Sequence, residues 1–126
     1  MKRSQASIEL IIFVGISLII LLFYFTFIFN QTQKYNLEKE KMLGQDVINK
    51  VKTEIELADT VSNGYHRDFV IPETLEGINY NITISDRELT LSTENFQLIK
   101  IIPEVIGNIQ KNINTLKKED NVIYLN

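Results

Sequence analysis

The chain has 126 residues, 44% of them hydrophobic and 23% charged, which is enough for one small domain, or a small domain plus an anchor, and too little for a large multidomain enzyme. Thirteen Lys+Arg against sixteen Asp+Glu give a formal charge of -3, so the basic surplus that phosphate-backbone binding demands is missing and nucleic acid is not expected as a partner. With no cysteine there can be no disulfide, thiolate nucleophile, zinc ribbon or iron–sulfur cluster, and no metal or cofactor is expected.

Leu10 to Phe29 reads LIIFVGISLIILLFYFTFIF, a run without a charge that only Gly15, Ser17, Tyr24 and Thr26 interrupt. At about 1.5 Å rise per residue it covers roughly 30 Å, the hydrocarbon thickness of a bilayer, and predicts a membrane-spanning helix. A secretory signal has a shorter apolar region, about 7–15 residues, that ends at small residues; here large side chains continue through Phe29. Lys2 and Arg3 precede the span, so the positive-inside rule places the N-terminus in the cytoplasm and everything after Phe29 outside. Lys34, Lys39 and Lys41 also lie near the outer end, accompanied by Glu38 and Glu40, which leave that flank nearly neutral.

From Gln31 to about Ser62 there is no proline and only one glycine, Gly44, so the helix is expected to run on out of the membrane. Leu43, Val47, Val51, Ile55 and Ala58 recur at spacings of four and three, which confines them to one face that must be buried. Lys34/Glu38, Asp46/Lys50, Lys50/Glu54 and Lys52/Glu56 stand four apart on the remaining surface as solvated helix supports. Asn63-Gly64 is the expected helix end.

Beyond it, Ile78, Tyr80, Ile82 and Ile84 alternate with polar residues, as do Leu89 and Leu91, and Asp86-Arg87 between the two runs suits a tight hairpin. Phe69 to Ile71, Phe96 to Ile102, a stretch near Ile109 to Leu116, and Val122 to Leu125 are further strand candidates, with Pro72 and Pro103 at edges or strand ends. The expected fold is therefore α+β: a long N-terminal helix, transmembrane in its first half and amphipathic in its second, packed on a small C-terminal antiparallel β-sheet of about five or six strands.

The apolar run is approached through Gln5-Ala6-Ser7-Ile8-Glu9, with a carboxylate at the brink of the hydrocarbon. An ionised acid deep in a membrane helix costs about 2.5 kcal/mol or more, so Glu9 needs a partner, a purpose, or the positive end of the helix dipole. This stretch resembles the class III signal sequence of archaeal type IV pilin-like proteins, whose pattern has Gln, Ser two later, Glu four later and Leu eight later. Gln5, Ser7 and Glu9 match; Phe13 stands where Leu is typical, and Ser4 where the residue before the cleaved bond is commonly Gly.

The resemblance implies that a membrane-embedded prepilin peptidase recognises Lys2, Arg3, Ser4, Gln5, Ser7, Glu9 and Phe13 and cuts between Ser4 and Gln5. It divides the chain into a cleaved leader (1–4), a hydrophobic filament-core helix (5–30), its amphipathic continuation (31–62) and an extracellular β-sheet domain (63–126). Cleavage would remove Lys2 and Arg3, taking Lys+Arg from 13 to 11 and the formal charge from -3 to -5. Apolar segments of many subunits could then replace lipid with one another. Gln5 and Glu9 are the expected assembly residues, the Glu9 carboxylate pairing with the new N-terminal amine of a neighbour unless Gln5 cyclises. The implied partners are further copies of the chain or other pilins, the peptidase, the pilus assembly platform and, before assembly, the membrane.

Asn30-Gln31-Thr32 and Asn81-Ile82-Thr83 are N-glycosylation sequons, relevant because the segment after Phe29 is expected outside; Asn81, on the polar side of its strand, is favoured over Asn30. His66 is the only histidine and reads as a surface residue, and Glu38/Glu40 and Glu54/Glu56 point roughly 200° apart around a helix, so neither is a carboxylate pair. No phosphate loop, nucleophile elbow or metal-ligand cluster is present in the sequence, and no catalytic residue is expected. The expected function is thus a structural pilus-like filament subunit; the alternative is a non-polymerising single-span protein with an outward partner- or glycan-binding β domain.

Overall fold

The computed structural model describes the backbone from Lys2 to Asn126 and side chains from Ser7 onward. Helix α1 (Lys2–Thr60) is followed by seven strands: β1 (His66–Ile71), β2 (Asn81–Ser85), β3 (Glu88–Ser92), β4 (Gln97–Ile101), β5 (Val105–Gly107), β6 (Asn112–Glu119) and β7 (Val122–Leu125). The chain divides into two compact units, Met1–Leu37 and Glu38–Asn126, the described residues of the first being helix alone.

In the second unit one stripe of α1 is buried: Val47, Ile48, Val51, Ile55 and Ala58 share a single apolar cluster with Phe69 and Ile71 of β1, Ile82 of β2, Leu89 and Leu91 of β3, Leu116 of β6, and Ile123 and Leu125 of β7. Steps of three and four residues keep that stripe on one side of the helix, and alternation along each strand turns its apolar residues to the same layer. The α+β layout is the expected one, and the buried stripe differs from the expected set only in gaining Ile48 and leaving Leu43 partly covered.

Gly44 has a specific reason to be glycine. A Cβ there would stand 2.9 Å from Phe96 Cζ and 3.0 Å from Cε2, so the missing side chain lets the β3–β4 turn lie directly on the helix. Of the surface pairs at four-residue spacing, Lys52–Glu56 closes at 3.5 Å. Lys50 and Glu54 instead reach β1: Lys50 Nζ donates to the Val70 carbonyl at 2.7 Å, and Glu54 meets Arg67 Nε at 3.0 Å.

The strands form two sheets rather than one. A four-stranded sheet has the order β1-β6-β7-β5 and a three-stranded meander the order β2-β3-β4. The first is mixed, because β5 runs parallel to β7 through Val105↔Ile123, Ile106↔Tyr124 and Gly107↔Leu125. β5 has only three residues, beginning two after Pro103, too short for a period-two pattern to stand out, and it is the strand missing from the sequence expectation.

Two of the three hairpins, β2–β3 and β6–β7, close through two-residue turns with left-handed backbone: Asp86 and Arg87 (φ 48° and 69°), as expected, and Asp120 and Asn121 (φ 48° and 65°). The helix ends at Thr60, two residues before the expected Ser62, and Gly64 follows at φ 90°. Lys118, only 4% exposed, donates from Nζ to the Asp59 carbonyl at 2.5 Å and so places a cation at the negative end of the helix.

Candidate functional site

Two surfaces are candidates for function: the first half of α1 and the outward faces of the sheets. Lys2, Arg3, Ser4 and Gln5 have helical backbone, and their side chains lie outside the described residues. Ser7 and Glu9 are exposed on the helix, and Phe13, one turn beyond Glu9, is 69% exposed. Among the expected recognition residues, then, Glu9 and Phe13 share one helix face through their four-residue spacing.

The apolar run that follows has no covering layer within its own unit. Every large apolar residue from Leu10 to Phe29 is exposed, and an 18-residue window reaches a mean hydropathy of 2.8 with none of it buried. It is long and apolar enough to cross a membrane. Its two aliphatic hydroxyls bond back along the helix, Ser17 Oγ donating to the Phe13 carbonyl at 2.8 Å and Thr26 Oγ1 to Leu22 at 3.0 Å, as does Thr32 Oγ1 to Ile28 at 3.0 Å just past the run. Back-bonding of this kind removes the cost of carrying a hydroxyl into hydrocarbon. Phe23, Tyr24, Phe25, Phe27 and Phe29 crowd toward the end of the run, all more than 60% exposed, and Tyr24 among them has the amphipathic ring favoured near a membrane interface.

Glu40 behaves differently from its place in the sequence. Rather than balancing Lys34, Lys39 and Lys41 in the flank, it is buried, 4% exposed, and its Oε2 accepts from Asn95 Nδ2 at 2.9 Å, while Oε1 has no hydrogen-bond partner. Asn95 is held in turn by its own loop, since Thr93 Oγ1 accepts from the amides of Asn95 and Phe96 at 3.2 and 3.3 Å. This clamp fixes the β3–β4 turn against the helix. Lys39 reaches Glu76 at 2.5 Å.

On the sheets, Asn81 is exposed at the start of β2, an edge strand, with Thr83 of the same sequon exposed on the same face; Asn30 is exposed on α1. His66 is exposed, 3.8 Å from Asp68 Oδ1. Asp68 also accepts from Thr115 Oγ1 at 2.7 Å. Tyr80 is buried, its hydroxyl donates to the Pro72 carbonyl, and burial pushes its pKa above the usual 10.0.

Sequence reasoning missed Asn95, Asn114 and Lys118. Asn114, fully buried in β6, donates to the Gln110 carbonyl at 2.7 Å and accepts from the Gln110 amide at 2.9 Å. No local pattern marks such a residue, because its partners are set by the fold. Among the described residues no group of three or more His, Asp or Glu could hold a metal ion. Comparison with family models, with curated proteins and with solved structures finds no match to this chain.

Proposed function

We propose that the chain is a structural subunit, a pilin or minor pilin, of a type IV pilus-like surface filament, made as a membrane-held precursor and cut between Ser4 and Gln5 before assembly through α1. The observation that supports it most is the contrast within that one helix. From Glu38 on, a single stripe is buried against the sheets, whereas from Leu10 to Phe29 apolar side chains are exposed all round. A helix apolar on every side needs lipid or other helices around it. The Gln5, Ser7, Glu9 pattern directly before the run favours a stem that uses both in turn, lipid first and copies of itself afterwards.

In this reading Glu9 is the assembly group. An ionised carboxylate inside a bundle of apolar helices is stable only when paired, and the amine created at Gln5 by cleavage in a neighbouring subunit is the complementary charge. The reading is tested with Glu9→Gln, which keeps the size of the side chain and removes its charge. Membrane insertion and processing should stay at wild-type level while filament yield drops at least about tenfold, the effect of about 1.4 kcal/mol per subunit contact. Wild-type filament yield would overturn the pairing.

A further inference from the structure

We infer that the outer face of the four-stranded sheet binds a neutral pyranose sugar in the depression formed by His66, Asp68, Thr115, Lys117, Tyr124 and Asn126. The inference stands apart from the filament reading, since it rests only on the geometry of this sheet.

Strand register builds the site. His66 pairs with Lys117 and Lys117 with Tyr124, giving one row across β1, β6 and β7. Asp68 pairs with Thr115, and Asn126 joins the same row by donating its amide to the Thr115 carbonyl at 2.9 Å. With strands about 4.8 Å apart and alternate residues about 6.7 Å apart, the six positions span roughly 10 Å by 7 Å, the footprint of one sugar ring with its hydroxyls. The depression holds about 350 Å³, within the range of small-molecule sites.

The platform is fixed before any ligand arrives. Phe69, Leu116, Ile123 and Leu125, which alternate with these residues, are locked in the core. Thr115 Oγ1 donates to Asp68 Oδ1 at 2.7 Å, and Asn126 accepts from the Thr115 amide at 3.1 Å while donating to the Asn108 carbonyl at 2.7 Å. Asp68 Oδ2, Lys117 Nζ and the Tyr124 hydroxyl make no hydrogen bond with other described residues and are available to a ligand. A preorganised site of this kind loses little entropy on binding.

The side chains suit a polyhydroxy ring. The Tyr124 ring, 38% exposed, offers a surface to the apolar face of a pyranose, and the carboxylate and ammonium offer an acceptor and donors to its hydroxyls. Asp68 and Lys117 carry opposite charges within the depression, so their pair offers no cationic surplus to attract an anionic ligand. The depression bounded by Asp86, Arg87 and Glu104 has charged groups but no aromatic side chain, and therefore lacks half of this chemistry.

The test uses the full chain in dimethylamine-oxide micelles, whose head group is not a sugar, with saturation-transfer NMR on the methyl glycosides of glucose, galactose and mannose. At least one should receive saturation, and its affinity should fall about tenfold in Tyr124→Ala, as loss of about 1.4 kcal/mol of ring contact requires. It should also fall in Asp68→Asn, which keeps the shape of the site, and stay unchanged in Ile99→Ala on the other sheet. No saturation of any of the three glycosides, or binding that neither Tyr124→Ala nor Asp68→Asn weakens, overturns the inference. Tighter binding of glucuronate than of glucose overturns the neutral assignment.

Discussion

Gly107 and Gly77 make a matched pair of perturbations. Both have left-handed backbone, φ 123° and 90°, so alanine at either strains the chain. At Gly77 no atom lies within 4 Å of the added Cβ, and the cost is the backbone term alone, about 1 kcal/mol. At Gly107 the same atom would stand 1.9 Å from the Leu125 carbonyl oxygen and 3.0 Å from its carbon. No rotamer change relieves a clash with backbone, so β5 must move away from β7 by about 1 Å or more and its three parallel pairs are lost. Strain plus disrupted pairing should cost at least about 3 kcal/mol, a large share of the roughly 5–15 kcal/mol that holds a small domain together. Urea unfolding of the full chain in zwitterionic micelles, followed by circular dichroism, measures both variants. Equal losses for Gly107→Ala and Gly77→Ala would refute the close approach of β5 and β7.

Lys118→Met should destabilise the sheet unit by about 1–2 kcal/mol in the same assay, because it removes the cation that caps the Asp59 carbonyl; a more stable variant would show that desolvation of the buried ammonium outweighs the cap. Tyr80 has its pKa raised in the folded state by burial, so the unfolded chain loses the phenolic proton first; stability is fully present below pH 10.0 and should decline as pH rises through the folded pKa. Tyr80→Phe should flatten that alkaline decline in urea titrations, and an unchanged slope would assign it to another group. In cells that N-glycosylate exported proteins, intact mass should show one glycan on the wild type and none on Asn81→Gln, with Asn30→Gln unaffected; a glycan that survives Asn81→Gln places the modification elsewhere.

The long apolar helix and its buried stripe were legible from the sequence because their signals are local. A run of one kind of residue marks the first half, and a stripe at steps of three and four marks the second. The β2–β3 hairpin was legible for the same reason, since Ile82, Ile84, Leu89 and Leu91 alternate cleanly on either side of Asp86-Arg87. β6 was not placed correctly because its inward row is Asn114, Leu116 and Lys118, while Ile113 is 60% exposed. Two polar residues face the core there, each satisfied by a distant or backbone partner, so no apolar alternation marks Asn112–Glu119 and the expected stretch lay about three residues early, near Ile109 to Leu116. Glu40 was misread for a related reason: its partner, Asn95, is 55 residues away. The sheet face bearing Tyr124 left no sequence signal either, because its six residues come from three strands and the residue after the last of them, brought together only by pairing.

The N-terminus, where Ser4 and Gln5 flank the proposed cut, decides whether the chain becomes a filament subunit. Filaments sheared from the surface of cells that make this protein provide the material, and mass spectrometry of its N-terminal peptide provides the measurement. The recovered chain should begin at Gln5 or its cyclised form, with Leu10 to Phe29 still attached. Recovery of the chain only from the membrane fraction, with Lys2 and Arg3 in place although the peptidase is active, would contradict the proposed cut.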